Sequence, residues 1–326
     1  MMRSTPSDPH PSRNRLHRLL RRGPAFAVAV AALAAAGIVS PAHASGIEGH
    51  RHVALQRVLF DDFSYFGRND PRVTRNGWYL RNDTGRPGPQ GAQWSSRNIS
   101  FTHVNGSRVL ELTATTDGTG PGTTEAEFGR VSNEALSGTY VARIKFSDVP
   151  FRGPDGDHLN QTFYALSSNI SECGAGYSET DFDEYLPNGG YGVATGFNTE
   201  TTWREPDTDC DSAALDESDQ YDTSIAGWHT IMSTVAGGKV TYYVDGQIVG
   251  GSDESYYPQN KMSIAFNEWF ADLKGHQAGS GTSVWHEDVD YVYYAADRVL
   301  TPAQAAAQVH HVRRSGHSFI DTLRRS

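Results

Sequence analysis

Four carboxylates fall within six residues in the run Glu179-Thr180-Asp181-Phe182-Asp183-Glu184. Paired carboxyl groups are the usual means of cleaving an acetal: one acts at the carbon and its neighbour delivers a proton to the leaving oxygen. Tyr177, Phe182, Tyr185 and Leu186 are strand-forming residues, and they predict a strand over Tyr177 to Leu186. In a regular strand Glu179, Asp181 and Asp183 share a face and Glu184 points the other way. One extra residue, a β-bulge between Asp181 and Glu184, puts Glu179, Asp181 and Glu184 on a common face instead. At ~3.3 Å rise per residue the two glutamate backbones then stand ~13 Å apart. Only long side chains leaning inward close that gap to the ~5 to 5.5 Å carboxyl separation of a retaining glycosidase. The residues alone leave both registers open, the unbulged one making Asp183 the acid. A solvated acidic edge strand or a calcium loop is the reading without catalysis, and Phe182, Tyr185 and Leu186 suit neither.

Such a strand needs a sheet to hold it. Between Val58 and Ala296 short β-rich runs alternate with Gly, Asn, Asp, Ser and Pro, which predicts an antiparallel all-β domain. The clearest strands are Arg108 to Thr115, Gly138 to Ser147, Gln161 to Leu166, Gly190 to Phe197, Trp228 to Val235, Lys239 to Val244, Lys261 to Phe270 and Val284 to Tyr294. In Tyr140 to Phe146 the even positions are apolar and would face a core, with Arg143 and Lys145 opposite. Two packed sheets bury such strands economically. Val244-Asp245-Gly246-Gln247 and Ala236-Gly237-Gly238-Lys239 read as hairpin turns. Thr301 and Pro302 read as the cap and first turn of a short helix over Ala303 to Arg314.

The chain has 326 residues, 37% hydrophobic and 11% aromatic, enough for one large domain. Six Arg and one Asp precede the apolar run Ala25 to Val39 and the small residues Ala42 and Ala44, the layout of a secretory signal peptide cut before Ser45. The expected layout is a signal peptide over 1–44, a linker over 45–57, the β-domain over 58–297 and a C-terminal helix and tail over 298–326. Removing the leader takes about +5 from a net charge of −10, leaving about −15. That balance disfavours nucleic acid and strongly anionic substrates. The expected protein is a secreted bacterial monomer with no membrane contact after cleavage. Cys173 and Cys210 are the two cysteines, and an oxidising compartment predicts one disulfide between them. Phosphate-binding loops, a G-x-S-x-G elbow, an H-E-x-x-H pair and a C-x-x-C pair are missing from the sequence. His229, His276 and His286 show no evident partner, and the eight acids from Glu205 to Asp222 read as a solvated loop.

Sugar rings stack their C–H faces on aromatic rings, which makes Tyr164, Tyr185, Trp203 and Trp269 candidate platforms. Trp203 is expected in a loop after the acidic strand, and Trp228 in the core.

The E-x-D-x-x-E stretch Glu179, Asp181, Glu184 resembles the bulged signature of glycoside hydrolase family 16, the laminarinase and lichenase-like enzymes. Ser137 to Lys145, Trp228-His229-Thr230 leading to Tyr243-Val244-Asp245-Gly246, and Met262 to Phe270 are similar to further strands of that family, in order. Phe163-Tyr164 stands where the family usually has Phe-Trp, and Thr180 where it usually has an apolar residue. The resemblance implies a concanavalin A-like two-sheet jelly-roll and a retaining endo-glycosidase, with Glu179 as nucleophile, Asp181 as its partner, Glu184 as acid and base, and Asn267, on a strand similar to the family's cleft strand, facing the sugar. It implies no required cofactor and allows a structural calcium joining early and late strands, with Asp290 as a ligand. A polysaccharide is the expected partner, by default a neutral β-1,3- or mixed-linkage glucan. A galactanase, a transglycosylase and a lectin-like binder on the same fold are the alternatives. The disulfide has its own check: reduction should cost about 2 to 4 kcal/mol of stability. Mass spectrometry of the unreduced protein should find no free thiol, and two free thiols would exclude the bridge.

Overall fold

The computed structural model describes residues 57–167, 177–203 and 215–323. The expected signal peptide and both cysteines lie outside the described residues. Among those described, seventeen strands build two stacked, almost wholly antiparallel sheets. The front sheet runs in the order β2 (Trp78–Leu80), β6 (Thr124–Arg130), β15 (Ser263–Asp272), β8 (His158–Leu166), β9 (Ser178–Leu186), β10 (Gly196–Trp203) and β11 (Leu215–Tyr221). The back sheet runs β4 (Ile99–Val104), β5 (Ser107–Thr116), β16 (Ser283–Ala296), β7 (Gly138–Phe146), β12 (Gly227–Ala236), β13 (Lys239–Val244) and β14 (Gln247–Ser252). The far half of β16 also pairs with β1 (Val58–Asp61), which pairs with β17 (Phe319–Asp321), while β3 (Gln93–Trp94) lies parallel to β6.

Alternation assigns the faces. Tyr140, Ala142, Ile144 and Phe146 of β7 point inward and meet Phe163, Phe182, Tyr185 and Phe266 of the front sheet in the main core. Fully burying each such side chain contributes about 1.5–3 kcal/mol. Val141, Met232, Tyr291 and Tyr293 point the other way and are covered by Ala305, Val309 and Val312 of the helix α2 (Pro302–Arg314). A short helix, α1 (Pro71–Arg75), lies between β1 and β2. Thr301 caps α2 in a reciprocal capping box with Gln304, and Pro302 opens its first turn. The C-terminal segment is therefore packed onto the sandwich as a helix and an edge strand. Asp245-Gly246 and Gly237-Gly238 take the positive φ values that two-residue hairpins require.

Several expectations are corrected. The strand expected over Gly190 to Phe197 begins only at Gly196, because Gly190, Tyr191 and Gly192 adopt positive φ and form a turn. Trp203 is the last residue of β10 and not part of a loop. Part of the expected acidic loop is strand β11, whose exposed Asp216, Ser218 and Gln220 alternate along a charged sheet edge. Trp228 lies on the outer face of the back sheet, half-buried beneath the Arg143 guanidinium, and not in the core. The three histidines have carboxylate partners: His229 with Asp245 at 2.7 Å, His276 with Asp157 at 2.7 Å and His286 with Glu111 at 3.6 Å.

A polar layer interrupts the core. Glu268 sits between Phe266 and Phe270 on β15, Glu287 between Trp285 and Val289 on β16, and Asp183 follows Phe182 on β9. All three are fully buried; among the described residues their six carboxylate oxygens have no well-formed hydrogen bond, although the backbone at Phe163, Ala114 and Thr162 pulls the Asp183, Glu268 and Glu287 carboxyls down in turn. Burial above all, and then their mutual repulsion with Asp288, Glu111 and Glu184 nearby, holds these carboxyls well above the usual range. Raised folded-state values mean that the native state binds these protons more tightly than the unfolded chain. The contribution of these carboxyls to stability is fully present below the ordinary carboxyl pKa and is lost as pH rises from there towards the raised values. Calorimetry should find a Tm several degrees lower at pH 8 than at pH 5, and Glu268→Leu should flatten the slope by raising the pH 8 value. A Tm that climbs from pH 5 to pH 8 would contradict this.

Candidate active site

The bulge lies on the strand that carries the acids. Against β8, Tyr164 pairs with Asp181 and Phe163 with Asp183, so Phe182 is the extra residue. Against β10, Glu200 pairs with Asp181 and Asn198 with Glu184, two β9 residues facing one on the partner. Phe182 drops into the core against Tyr140 and Phe163, with ring centroids 4.7 and 4.5 Å away. Asp183 is buried behind the sheet, which leaves Glu179, Asp181 and Glu184 on the front face.

Each glutamate is held by a donor outside the acidic run. The Tyr177 hydroxyl donates to Glu179 Oε2. Asn160 Nδ2, from β8, donates to Glu184 Oε1 at 2.8 Å. Burial raises the Glu179 carboxyl to about 7, with the Tyr177 hydrogen bond pulling down and the Glu184 charge pushing up. Burial, and then the charges of Glu179 and Glu184, hold Asp181 well above the usual carboxylate range. Burial and like charge therefore favour the protonated form of Asp181 relative to a free carboxyl.

Glu184 belongs to a polar row across the front sheet. Successive register partners are Glu127 on β6, Asn267 on β15, Thr162 on β8, Glu184 on β9, Asn198 on β10 and Gln220 on β11. Glu127 is fixed by the Tyr79 hydroxyl at 2.6 Å and by Arg81 Nη1 at 3.0 Å, and the Arg81 guanidinium stacks on Trp94 at 4.3 Å.

The expected ligand residues separate into groups. Tyr164, Asn267 and Trp269 lie on the front face, and Tyr191 approaches Trp269 with ring centroids 5.8 Å apart. Burial foremost, then Glu127, Tyr79 and Glu179, raise the Tyr164 hydroxyl well above its ordinary value, and Tyr164 is the register partner of Asp181 on β9. Tyr185 is a correction: once the bulge restores Glu184 to the front, the next residue must face the core, and Tyr185 is fully buried against Phe146. The Trp203 side chain lies outside the described residues. Asp290 does not fit a calcium ligand, because Arg143 and Arg313 already occupy both of its carboxylate oxygens. Tyr177, Asn160, Glu127, Tyr79 and Arg81 were not singled out by sequence. Only Tyr177, two residues before Glu179, carried a signal, since alternation puts both on one face.

No protein-family model matches the sequence, and no curated protein matches it. Solved structures do. A glycoside hydrolase family 16 endo-glucanase from Bacteroides ovatus matches with TM-score 0.55 at 17% identity, over 72% of this chain and 98% of that one. The Bacillus licheniformis β-glucanase matches with TM-score 0.51 at 16% identity, over 75% and 100%. An immunostimulatory antigen and pseudo β-1,3-glucanase of Mycobacterium tuberculosis matches with TM-score 0.53 at 16% identity, over 73% and 98%. The chain has the jelly-roll fold of family 16 glycoside hydrolases.

The Glu179 environment predicts a pH profile. A reaction that needs the ionised form loses kcat/KM below about pH 7. Tyr177→Phe removes the interaction that lowers this value, so the acid limb should move up. Glu184→Gln removes a repulsive charge, so the limb should move down on a substrate with an activated leaving group. An acid limb that neither variant moves would show that another group sets it.

Proposed function

We propose that the protein is a secreted, retaining endo-glycosidase acting on a β-linked polysaccharide, with a neutral β-1,3- or mixed-linkage glucan as default substrate. One observation carries the reading: the β9 bulge turns Glu179, Asp181 and Glu184 to one face and sends Asp183 into the core. Glu179 attacks the anomeric carbon while Glu184 gives its proton to the departing glycosidic oxygen. Glu184 then takes a proton from water, whose oxygen displaces Glu179 from the sugar, and both groups return to their starting states. The Asp181 proton stabilises negative charge on Glu179 when it is the leaving group. The polar row spans five strand spacings of about 4.8 Å, which suits a glycan chain laid across the strands with bonds to be cut in its middle. Tyr164 and Trp269 lie on the same face, but at 5% and 7% exposure they offer that chain only their edges. The two-sheet fold shared with glucanases of known structure supports the reading.

The test is reducing-end release from a panel of soluble polysaccharides, with products also analysed in the presence of oligosaccharide acceptors. Glu179→Gln should cost at least roughly 1,000-fold in turnover while leaving the circular dichroism unchanged. Glu184→Ala should regain activity with azide on an activated substrate, and Asp183→Ala should keep most activity at a pH where it folds. Polymer binding without any chain cleavage would make the protein a lectin. Azide rescue of Asp183→Ala, with Glu184→Ala fully active, would reverse the assignment of the acid.

A further inference from the structure

Asp290 lies on β16 where it runs beside β1, close to the end of the first strand and the end of the last helix. Its side chain is only 6% exposed. Arg313, in the last turn of α2, donates from Nη2 to Asp290 Oδ1 at 2.7 Å and to the Asp290 carbonyl oxygen at 3.2 Å, and from Nη1 to Oδ2 at 3.2 Å. Arg143 Nη1 from β7 donates to the same Oδ2 at 3.1 Å. The Arg313 guanidinium also rests 4.8 Å from the Tyr291 ring centroid, and Asp62, just past β1, is within electrostatic reach of both Arg313 and Asp290. A polar cleft of about 380 Å³ beside them is lined by Asp62, Arg108, Asp290, Arg313 and His317 among others.

A calcium ion needs six to eight oxygen ligands and a surplus of negative charge. Here the carboxylate is already bracketed by two guanidiniums, and the Asp290 carbonyl oxygen also accepts from Arg313. We propose that the Arg313 guanidinium is the resident cation of this junction, tying α2 to β16 beside the end of the first strand, in the place a divalent ion would hold. A planar fork is well matched to a carboxylate, and it is always charged. The domain then closes its ends without a metal, and α2 is part of that closure. This proposal is independent of the catalytic reading.

The test is calorimetry on the full mature protein in excess EGTA and in millimolar calcium chloride. The wild type should show the same Tm in both. Arg313→Met keeps the apolar stem against Tyr291 and loses the charge, and should lower Tm by about 4 °C or more. Asp290→Asn should also lower it, and the double variant should fall no further than the worse single, since the two act as one pair. Arg313→Lys, which keeps the charge and folds more safely, should lie between and stay indifferent to calcium. A wild-type Tm that drops in EGTA or rises in calcium would overturn the proposal. So would an unchanged Tm in Arg313→Met, or additive losses in the double variant.

Discussion

The chemistry depends on one inserted residue. Strand side chains alternate with period two, so without the bulge at Phe182 the acids facing solvent would be Glu179, Asp181 and Asp183. With it, the front face gains a longer carboxyl at Glu184, and two successive side chains turn inward. Phe182 holds that geometry through its ring contacts in the core; it has no partner on β8, and on β10 the single residue Thr199 faces Phe182 and Asp183. The site is thus tied to the packing of the sandwich. Loosening the contacts of Phe182 with Tyr140 and Phe163 would let the strand slip back to regular alternation.

The same insertion explains an apparent defect of the core. Asp183 is carried inward with Phe182 to where Glu268 and Glu287 are also buried, and burial with like charge holds all three carboxyls well above the usual range. On the front face a related arrangement recurs: burial and like charge raise the Asp181 and Glu179 carboxyls, while Tyr177 and Asn160 hydrogen-bond the two glutamates. Paired environments of this kind separate the roles of neighbouring acids. On the back sheet charge is handled differently, with Asp288 and Asp290 each paired to a cation at the surface.

Much of this was legible in the residues. Period-two alternation in β7, Gly-containing turns at 237–238 and 245–246, and the Thr301-Pro302 cap act locally, and each is where its pattern placed it. The bulge could be stated only as one of two registers, because an extra residue leaves no mark on composition. Tyr185 was misread for the same reason: its facing follows from the bulge and not from its type. The edge strand β11 was hidden because Asp and Ser on an exposed edge read as loop. Glu127, Arg81 and Asn160 were missed because they reach the site through pairings of strands far apart in sequence. Asp290 was read as a metal ligand because its partner Arg313 lies on a helix whose docking no local pattern reveals.

The account is tested most directly by trapping the covalent intermediate. A 2-fluoro dinitrophenyl glycoside of a hydrolysed oligosaccharide should inactivate the protein by forming a slowly hydrolysed ester. Peptide mass spectrometry should then place the added sugar on Glu179, with Glu184 and Asp183 unmodified. A label on Glu184 or Asp183 would contradict the account, as would full turnover of the parent polysaccharide with no covalent adduct.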